Sequence, residues 1–469
     1  MEKFFKLSER GTNVRTEFTA GLTTFFAMVY ILMVNANMFS NPLGDGSNPL
    51  GVSYGAIYIA TAVSAIFGTV LIGLLANLPL AQASGMGLNA FFVYTVCLGF
   101  GFTYANALVL VLADGLVFIL LTVTGLRKRI FLAIPESVRT AISVGIGLFI
   151  AFLGLQNSGI IVPSTSTGVT IASFNILLGS WGDIMPMVVT IVAFLAIAVM
   201  SKKGVKGSVF WGIIGGFALY YLLGLTVPGF YANLNIEMTS PFAAMKEFAS
   251  QSFGAVFKSG FDFSAYSEAH GNSNLVLTIA TTALGFCMID MFDTIGTLFA
   301  ACDKGNMLTE KGEVPNMEKA MFADAAATTV GAVCGTSTVT TFAESAAGVA
   351  EGGKTGLSSM FTAIFFVAAM LLSPIAQLVP SCATAAALIY VGVLMAESVK
   401  KIDWKDAETA VPAFLTMVMM PFAYNISYGI AFGLISYIVI KLFVGKAKEI
   451  RVGTWVIAAL FVATLLLTH

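Results

Sequence analysis

At 469 residues the chain has the length of about three soluble domains of ~150 residues each. Its composition excludes them: 57% of its residues are apolar and 10% charged, where a soluble domain carries roughly 45–50% and ~25%. With 24 Lys+Arg against 25 Asp+Glu and a net charge of −1, the chain has too few charges to solvate a globular surface. It also offers no electrostatic footprint for nucleic acid. It reads as an all-α polytopic membrane protein.

The first stretch, Met1 to Phe18, is charged and amphipathic, and the apolar run behind it has full helix length. It therefore reads as a cytoplasmic N-terminus rather than a cleavable signal. Fourteen spans follow, at about 18–39, 54–77, 80–97, 101–123, 135–154, 183–200, 207–226, 274–300, 317–335, 340–352, 354–377, 382–399, 408–424 and 428–445. No charge lies between Asp45 and Asp114, between Lys354 and Glu397, or between Glu408 and Lys441. Such runs exceed the ~20 apolar residues that cross a bilayer. They also lack the strict alternation over ~10 residues of a β-barrel strand. A last apolar run, 452–468, is left over as a further span or an interfacial helix.

Positive charge orients these spans. With Lys3, Lys6, Arg10 and Arg15 in the cytoplasm, every second loop should be basic, and it is. Those loops carry Arg127, Lys128 and Arg129; Lys202, Lys203 and Lys206; Lys304, Lys311 and Lys319; Lys354; Lys400, Lys401 and Lys405; and Lys446, Lys448 and Arg451. The opposite loops are poor in basic residues. The 155–182 loop has one charge just past its end, Asp183, and the 227–273 loop sets Lys246 and Lys258 against Glu237, Glu247, Asp262 and Glu268. The expected location is the plasma membrane.

The chain also repeats itself at an offset of seven spans. Pro135 to Gly145 of span five is echoed by Pro380 to Gly392 of span twelve. Pro186-x-x-x-Thr190 of span six returns as Pro412-x-x-x-Thr416 in span thirteen. Ala60-x-Ala62 with Gly68 in span two returns as Ala323-x-Ala325 with Gly331 in span nine. Seven is odd, so the halves would be inverted, an arrangement that places a transporter's site between discontinuous helices. Two short, broken segments occupy equivalent places in spans three and ten: Leu80 to Phe92 and Gly335 to Gly348. Each has a polar or β-prone start and then a small-residue run, which fits a half-helix facing a ligand. The competing reading is a close-packed small-residue interface. Glu344, Gln82, Ser84 and Asn89 weigh toward function.

Span eight carries Asp290 and Asp293, three residues apart and hence on one face of a helix. An unpaired carboxylate at the bilayer centre costs about 2.5–3.5 kcal/mol on insertion scales. Two of them, with Glu344 in a broken helix, mark candidate proton- and ligand-binding groups. The bland reading is a helix end that meets water, although the apolar run continues through Leu298 to Ala301. Asp114 fits either a site-facing role or a helix–helix contact. Phe25, Phe26, Phe91 and Phe342 are candidates to line a flat ligand. The five cysteines (Cys97, Cys287, Cys302, Cys334, Cys382) show no CxxC and read as structural thiols. His270 and His469 are poorly placed for catalysis, and Asn425-Ile-Ser427 matches a glycosylation sequon of the kind common by chance. No HExxH, Walker sequence, GxSxG or Cys/His cluster appears. The expectation is accordingly no enzyme, no metal and no cofactor.

Four motifs in order carry a family resemblance: Thr19 to Ile31, Gln82 to Ala90, Asp290 to Thr297 and Thr340 to Gly348. They resemble the AzgA-like purine permeases of the nucleobase–ascorbate transporter superfamily, over about residues 3–445. The resemblance implies seven plus seven inverted spans. A core domain would comprise 1–126 and 274–379, and a gate domain 127–273 and 380–469. It implies import of guanine, hypoxanthine or adenine, with the first two ahead, by an elevator motion of core against gate. It also implies Asp293 and Glu344 as substrate-binding and proton-coupling residues. Asp290 shares both roles, and Asn89, Ser345 and Phe342 complete the substrate-binding set. Thr297 stands where some uracil transporters carry a histidine, so a histidine relay does not transfer. A homodimer is implied by the resemblance alone, and the coupling ion stays open between proton and sodium. The alternatives are the same fold carrying xanthine, uracil or another small solute, or a channel or membrane enzyme. A channel would need a continuous polar pore and an enzyme a nucleophile or metal set, and the sequence shows neither.

Overall fold

The computed structural model describes residues 2–124, 134–175, 180–231, 239–270, 272–310 and 313–467. Arg127, Lys128 and Arg129, the expected boundary at 126/127, Glu237, Lys311 and His469 lie outside the described residues.

The first half contains α1 (Val14–Met28), α2 (Tyr30–Ser40), α3 (Tyr54–Leu75), β1 (Gln82–Ser84), α4 (Met86–Ala90), α5 (Tyr104–Val123), α6 (Glu136–Asn157), β2 (Ile161–Ser164), β3 (Gly168–Ile171), α7 (Trp181–Lys202) and α8 (Ser208–Gly224). The second contains α9 (Asn272–Lys304), α10 (Met317–Cys334), β4 (Val339–Thr341), α11 (Ser345–Ala350), α12 (Gly356–Met370), α13 (Ser381–Ala396), α14 (Ala407–Phe422), α15 (Ile426–Phe443) and α16 (Val452–Leu467). Among the described residues, eight helices are long and apolar enough to cross a membrane. The other segments are shorter or broken, and the fourteen-span plan is consistent with them.

Two features depart from an all-helical reading. β1 and β4 pair with each other, and β2 and β3 form a hairpin in the 155–182 loop. The long 227–273 loop also holds short helices, Pro241–Glu247 and Ser264–His270 among them.

Local chemistry sets the helix ends. Ser53 accepts from the Ala56 N–H at the start of α3, and Thr103 with Asn106 forms a reciprocal capping box on α5. Asn425 of the apparent sequon is the N-cap of α15, its Oδ1 accepting from the Ser427 and Tyr428 N–H groups. It is also buried, so its side chain already has a structural task.

Packing between halves follows the small residues. α3 lies on α10 and α12, α10 on α5, and α12 on α1; a second group joins α6 with α13 and α14, α14 with α15, and α7 with α8 and α13. Gly147 of α6 and Gly392 of α13 face each other's carbonyl groups so closely that neither could carry a Cβ without displacement. The repeated Pro-x-x-x-Thr elements behave alike: Thr190 Oγ1 donates to Pro186 O at 3.0 Å and Thr416 Oγ1 to Pro412 O at 2.8 Å. The terminal run 452–468 begins as α16, which packs on α15 and α9 and buries Ile457, Ala458 and Phe461. All five cysteines are buried and free of disulfides.

Candidate functional site

The two broken segments meet. β1 and β4 pair antiparallel, with Gln82 opposite Thr341, Ala83 opposite Thr340 and Ser84 opposite Val339. The pairing extends at both ends, since Gly85 N–H donates to Thr338 O and Phe342 N–H to Ala81 O, each at 3.0 Å. The β-branched run Val339–Thr341 suits extended backbone. Each strand then turns into a short helix, α4 after Gly85 and α11 after Glu344. Both strands are fully enclosed, so every backbone group needs a partner, and each segment supplies the other's.

A cavity of about 2190 Å³ opens in front of this crossing. Tyr30, Gly85, Met86, Asp293, Phe342 and Glu344 line its inner end, facing Ile142 and Ile146 of α6 and Tyr390 of α13. Lys206, Lys304, Lys319, Lys400 and Lys401 stand around it as well, all from loops that the charge pattern assigns to one side. Lys206 and Glu351 form an ion pair across this region. Tyr30 Oη donates to Glu344 Oε1 at 2.5 Å. Asp293 lies beside Gly85, where a Cβ would come within 3.7 Å of Asp293 Oδ2. Among the described residues no cation pairs with either carboxylate, and no group of His, Cys, Asp and Glu could hold a metal ion.

Three of the six sequence-selected site residues therefore converge on the cavity: Asp293, Glu344 and Phe342. The other three stand outside its lining. Asn89 accepts from Ser337 Oγ and donates to Ser84 O at 3.4 Å, bracing β1 against β4. Ser345 Oγ accepts from Ala81 N–H at 3.0 Å, fixing the start of α11. Asp290, one turn before Asp293 on α9, is completely buried. Phe342 is the one candidate aromatic of the four in the lining. Phe91 packs on Phe286, while Phe25 and Phe26 pack on Phe366 and Trp211.

Residues that the sequence did not single out complete the site. Asp324 is the intervening residue of the Ala323-x-Ala325 repeat, and a charge inside an apolar span was the available signal. It is fully buried on α10 and accepts from Gln82 Nε2 at 3.1 Å, Thr294 Oγ1 at 2.9 Å and Thr341 Oγ1 at 3.4 Å. It thus ties both strands to α9. Asp114, which the sequence does single out and leaves open between a site-facing role and a helix contact, accepts from Thr338 Oγ1 at 3.2 Å and braces the strand crossing from α5, outside the cavity lining. Asn35 of α2 donates to Thr61 and to Thr336, and Thr336 bonds Ser84 at 2.6 Å. Tyr30 carried no signal in the sequence, since an aromatic in an apolar span is ordinary packing.

Residues 15–432 match the Permease family of xanthine and uracil permeases. The chain is 35% identical to adenine permease AdeP of Escherichia coli, covering 98% of this chain and 95% of that one. It is 38% identical to guanine/hypoxanthine permease PbuG of Bacillus subtilis, covering 96% of each. It is also 37% identical to PbuO, a guanine/hypoxanthine permease of the same organism, over 97% of this chain and 98% of the other. Among solved structures it resembles the transmembrane domain of the cyanobacterial bicarbonate transporter BicA, with a TM-score of 0.58 at 16% identity, over 96% of this chain and 97% of that one. At that identity the likeness speaks for the fold alone.

Proposed function

The chain belongs to the Permease family of nucleobase transporters, and on that premise we propose that it imports purine bases by proton symport across the plasma membrane. The observation that carries the reading is the meeting of Asp293 and Glu344 at the inner end of the cavity, where the two broken segments cross. A purine presents ring N–H donors on a flat edge, and ionised carboxylates accept such bonds. A site built to bond that edge rejects analogues lacking it, because its buried groups would be left unpaired. One of the two carboxyls binds the base and the other carries the coupled proton. Guanine, hypoxanthine and adenine all fall within the names of the similar permeases. Phe342 supplies an aromatic face beside the carboxylates, while Asn89, Ser345 and Asp290 hold the surrounding backbone and helix in place.

Transport follows an elevator motion. Residues 1–126 and 274–379 form the moving core with its strand crossing, and 127–273 with 380–469 form the gate that supplies α6 and α13 to the far wall. The cavity carries the lysines of the basic loops, which the positive-inside rule places in the cytoplasm together with the N-terminus. The arrangement is thus open to the inside.

The test is uptake of radiolabelled guanine, hypoxanthine, adenine and uracil in transport-deficient cells, with and without a protonophore. Concentrative purine uptake that the protonophore abolishes is expected, as is its loss in both Asp293→Asn and Glu344→Gln. No uptake of any base rejects the reading; protonophore-insensitive uptake rejects the coupling; full accumulation by both variants rejects the site.

A further inference from the structure

Resting on the transport reading above, we propose that Tyr30 is a positioning residue that sets the ranking among purines: its hydroxyl takes one acceptor position on Glu344 Oε1, so a base that reaches both oxygens must share one of them with it. Tyr30 begins α2, separated from α1 by Val29 alone. Its side chain is fully buried, yet it borders the cavity beside Glu344. A buried tyrosine hydroxyl needs an acceptor. This one finds Glu344 Oε1 at 2.5 Å, across 314 residues of sequence. That length belongs to the strong, charge-assisted class of O–H···O⁻ bonds. Two features make the arrangement more than packing. The acceptor is the carboxylate that the broken segment delivers to the cavity, and among the described residues no lysine or arginine pairs with it. Tyr30 is therefore the side chain that fixes which face of Glu344 a ligand meets.

The chemical consequence concerns donors that come in pairs. Hypoxanthine offers one ring N–H beside a carbonyl on its pyrimidine edge. Guanine offers a ring N–H next to an exocyclic amine, two parallel donors that suit both oxygens of a free carboxylate. With Oε1 already accepting from Tyr30, the second donor of guanine shares that oxygen with the hydroxyl and is bonded more weakly, so the two bases are held nearly alike. Removing the hydroxyl while keeping the ring leaves Oε1 to guanine alone and strengthens a second charge-assisted bond that hypoxanthine cannot make.

The experiment compares wild type with Tyr30→Phe, measuring KM and maximal rate for guanine and hypoxanthine in the same cells. The ratio of KM for hypoxanthine to KM for guanine should rise by about tenfold, the worth of one hydrogen bond to a charged group. A merely structural tyrosine would lower the maximal rate for both bases and leave that ratio unchanged. Binding of the two bases to purified, monodisperse protein by calorimetry supplies the same ratio if the variant no longer transports. In a Glu344→Gln background the Tyr30→Phe change should leave the binding ratio where it was, because the hydroxyl acts through the carboxylate. A ratio within twofold of wild type, in uptake or in binding, overturns the proposal. Absence of uptake and binding in the wild type itself overturns the transport reading instead, and this inference with it.

Discussion

Glu344 and Asp324 are both acids in the apolar middle of the chain, and their neighbours give them opposite tasks. Glu344 borders the cavity and receives Tyr30 alone among side-chain donors in the described residues. It therefore keeps acceptor capacity for a ligand. Asp324 has both oxygens committed, to Gln82, Thr341 and Thr294, and holds the two strands in register. Replacing Asp324 by Ala removes one of the two acceptors of the buried Gln82 amide, Thr341 Oγ1 being the other, which costs about 1–3 kcal/mol per buried donor left without a partner. A lower midpoint of thermal unfolding in detergent is expected, together with loss of uptake. An unchanged midpoint would show that the aspartate does not support the crossing. Asp290 and Asp293 were indistinguishable by spacing. Rotation of α9 against its neighbours separates them: Asp293 enters the cavity lining and Asp290 is enclosed.

The helical elements carry the internal repeat in their glycines. Gly68 of α3 and Gly331 of α10 each leave room for the strand of their own half. A Cβ at 68 would lie 2.8 Å from Gln82 Oε1, and one at 331 would lie 2.8 Å from Val339 Cγ2. The same helices hold the strands by hydroxyls: Thr69 bonds the Gln82 backbone, and Thr328 Oγ1 donates to Val339 O at 2.9 Å. Gly331→Val should overpack this junction by about 1–3 kcal/mol and reduce both the unfolding midpoint and uptake. The conservative Gly331→Ala should do so less. Equal, wild-type behaviour of both would show that the strand has slack. A second element-level device is Glu17 of α1, fully buried and facing the start of α12. It accepts from the Lys354, Thr355 and Ser358 N–H groups and from Ser358 Oγ. It thereby supplies acceptors to the orphan donors of that helix and complements its dipole. In sequence Glu17 looked like one more charge of an amphipathic N-terminus.

Across the whole molecule, the cavity takes its lysines from the basic loops, and a cluster of aromatic rings packs outside its lining. Tyr94, after α4, packs edge-on against Tyr424 at 5.9 Å and against Phe149 of α6 at 6.5 Å, and Tyr424 packs on Phe149 at 5.4 Å. Tyr94 Oη also donates to Pro42 O at 2.9 Å. The two contacts of Tyr94 with Tyr424 and Phe149 join the proposed core to the proposed gate, and an elevator stroke would have to break them. Accessibility to a membrane-impermeant maleimide tests the picture against a low background, since all five native cysteines are buried. Ser143→Cys, in the cavity lining, should label in inside-out vesicles and not in right-side-out ones. Thr95→Cys, fully buried and outside the cavity lining, should resist both. Labelling of Ser143→Cys from the outside alone would reverse the assigned orientation.

Composition and periodicity by themselves determined the membrane setting, the succession of helices, the alternation of basic and basic-poor loops and the two interrupted segments. Each of these follows from chemistry local to a stretch of chain: apolar length, lysine placement, and glycine with β-branched residues that break a helix. The motifs around Asn89, Asp293 and Glu344 lie on the segments that meet at the strand crossing and its cavity. What only the tertiary structure decided is which partners meet. The pairing of Gln82–Ser84 with Val339–Thr341, the bond from Tyr30 to Glu344, the exposure of Asp293 to the cavity with Asp290 enclosed, and the bracing bonds of Asp114 and Asp324 all depend on residues far apart in sequence. Side-chain direction in a packed helix bundle is fixed by helix rotation and by complementary donors on other elements, and no window of sequence contains that information.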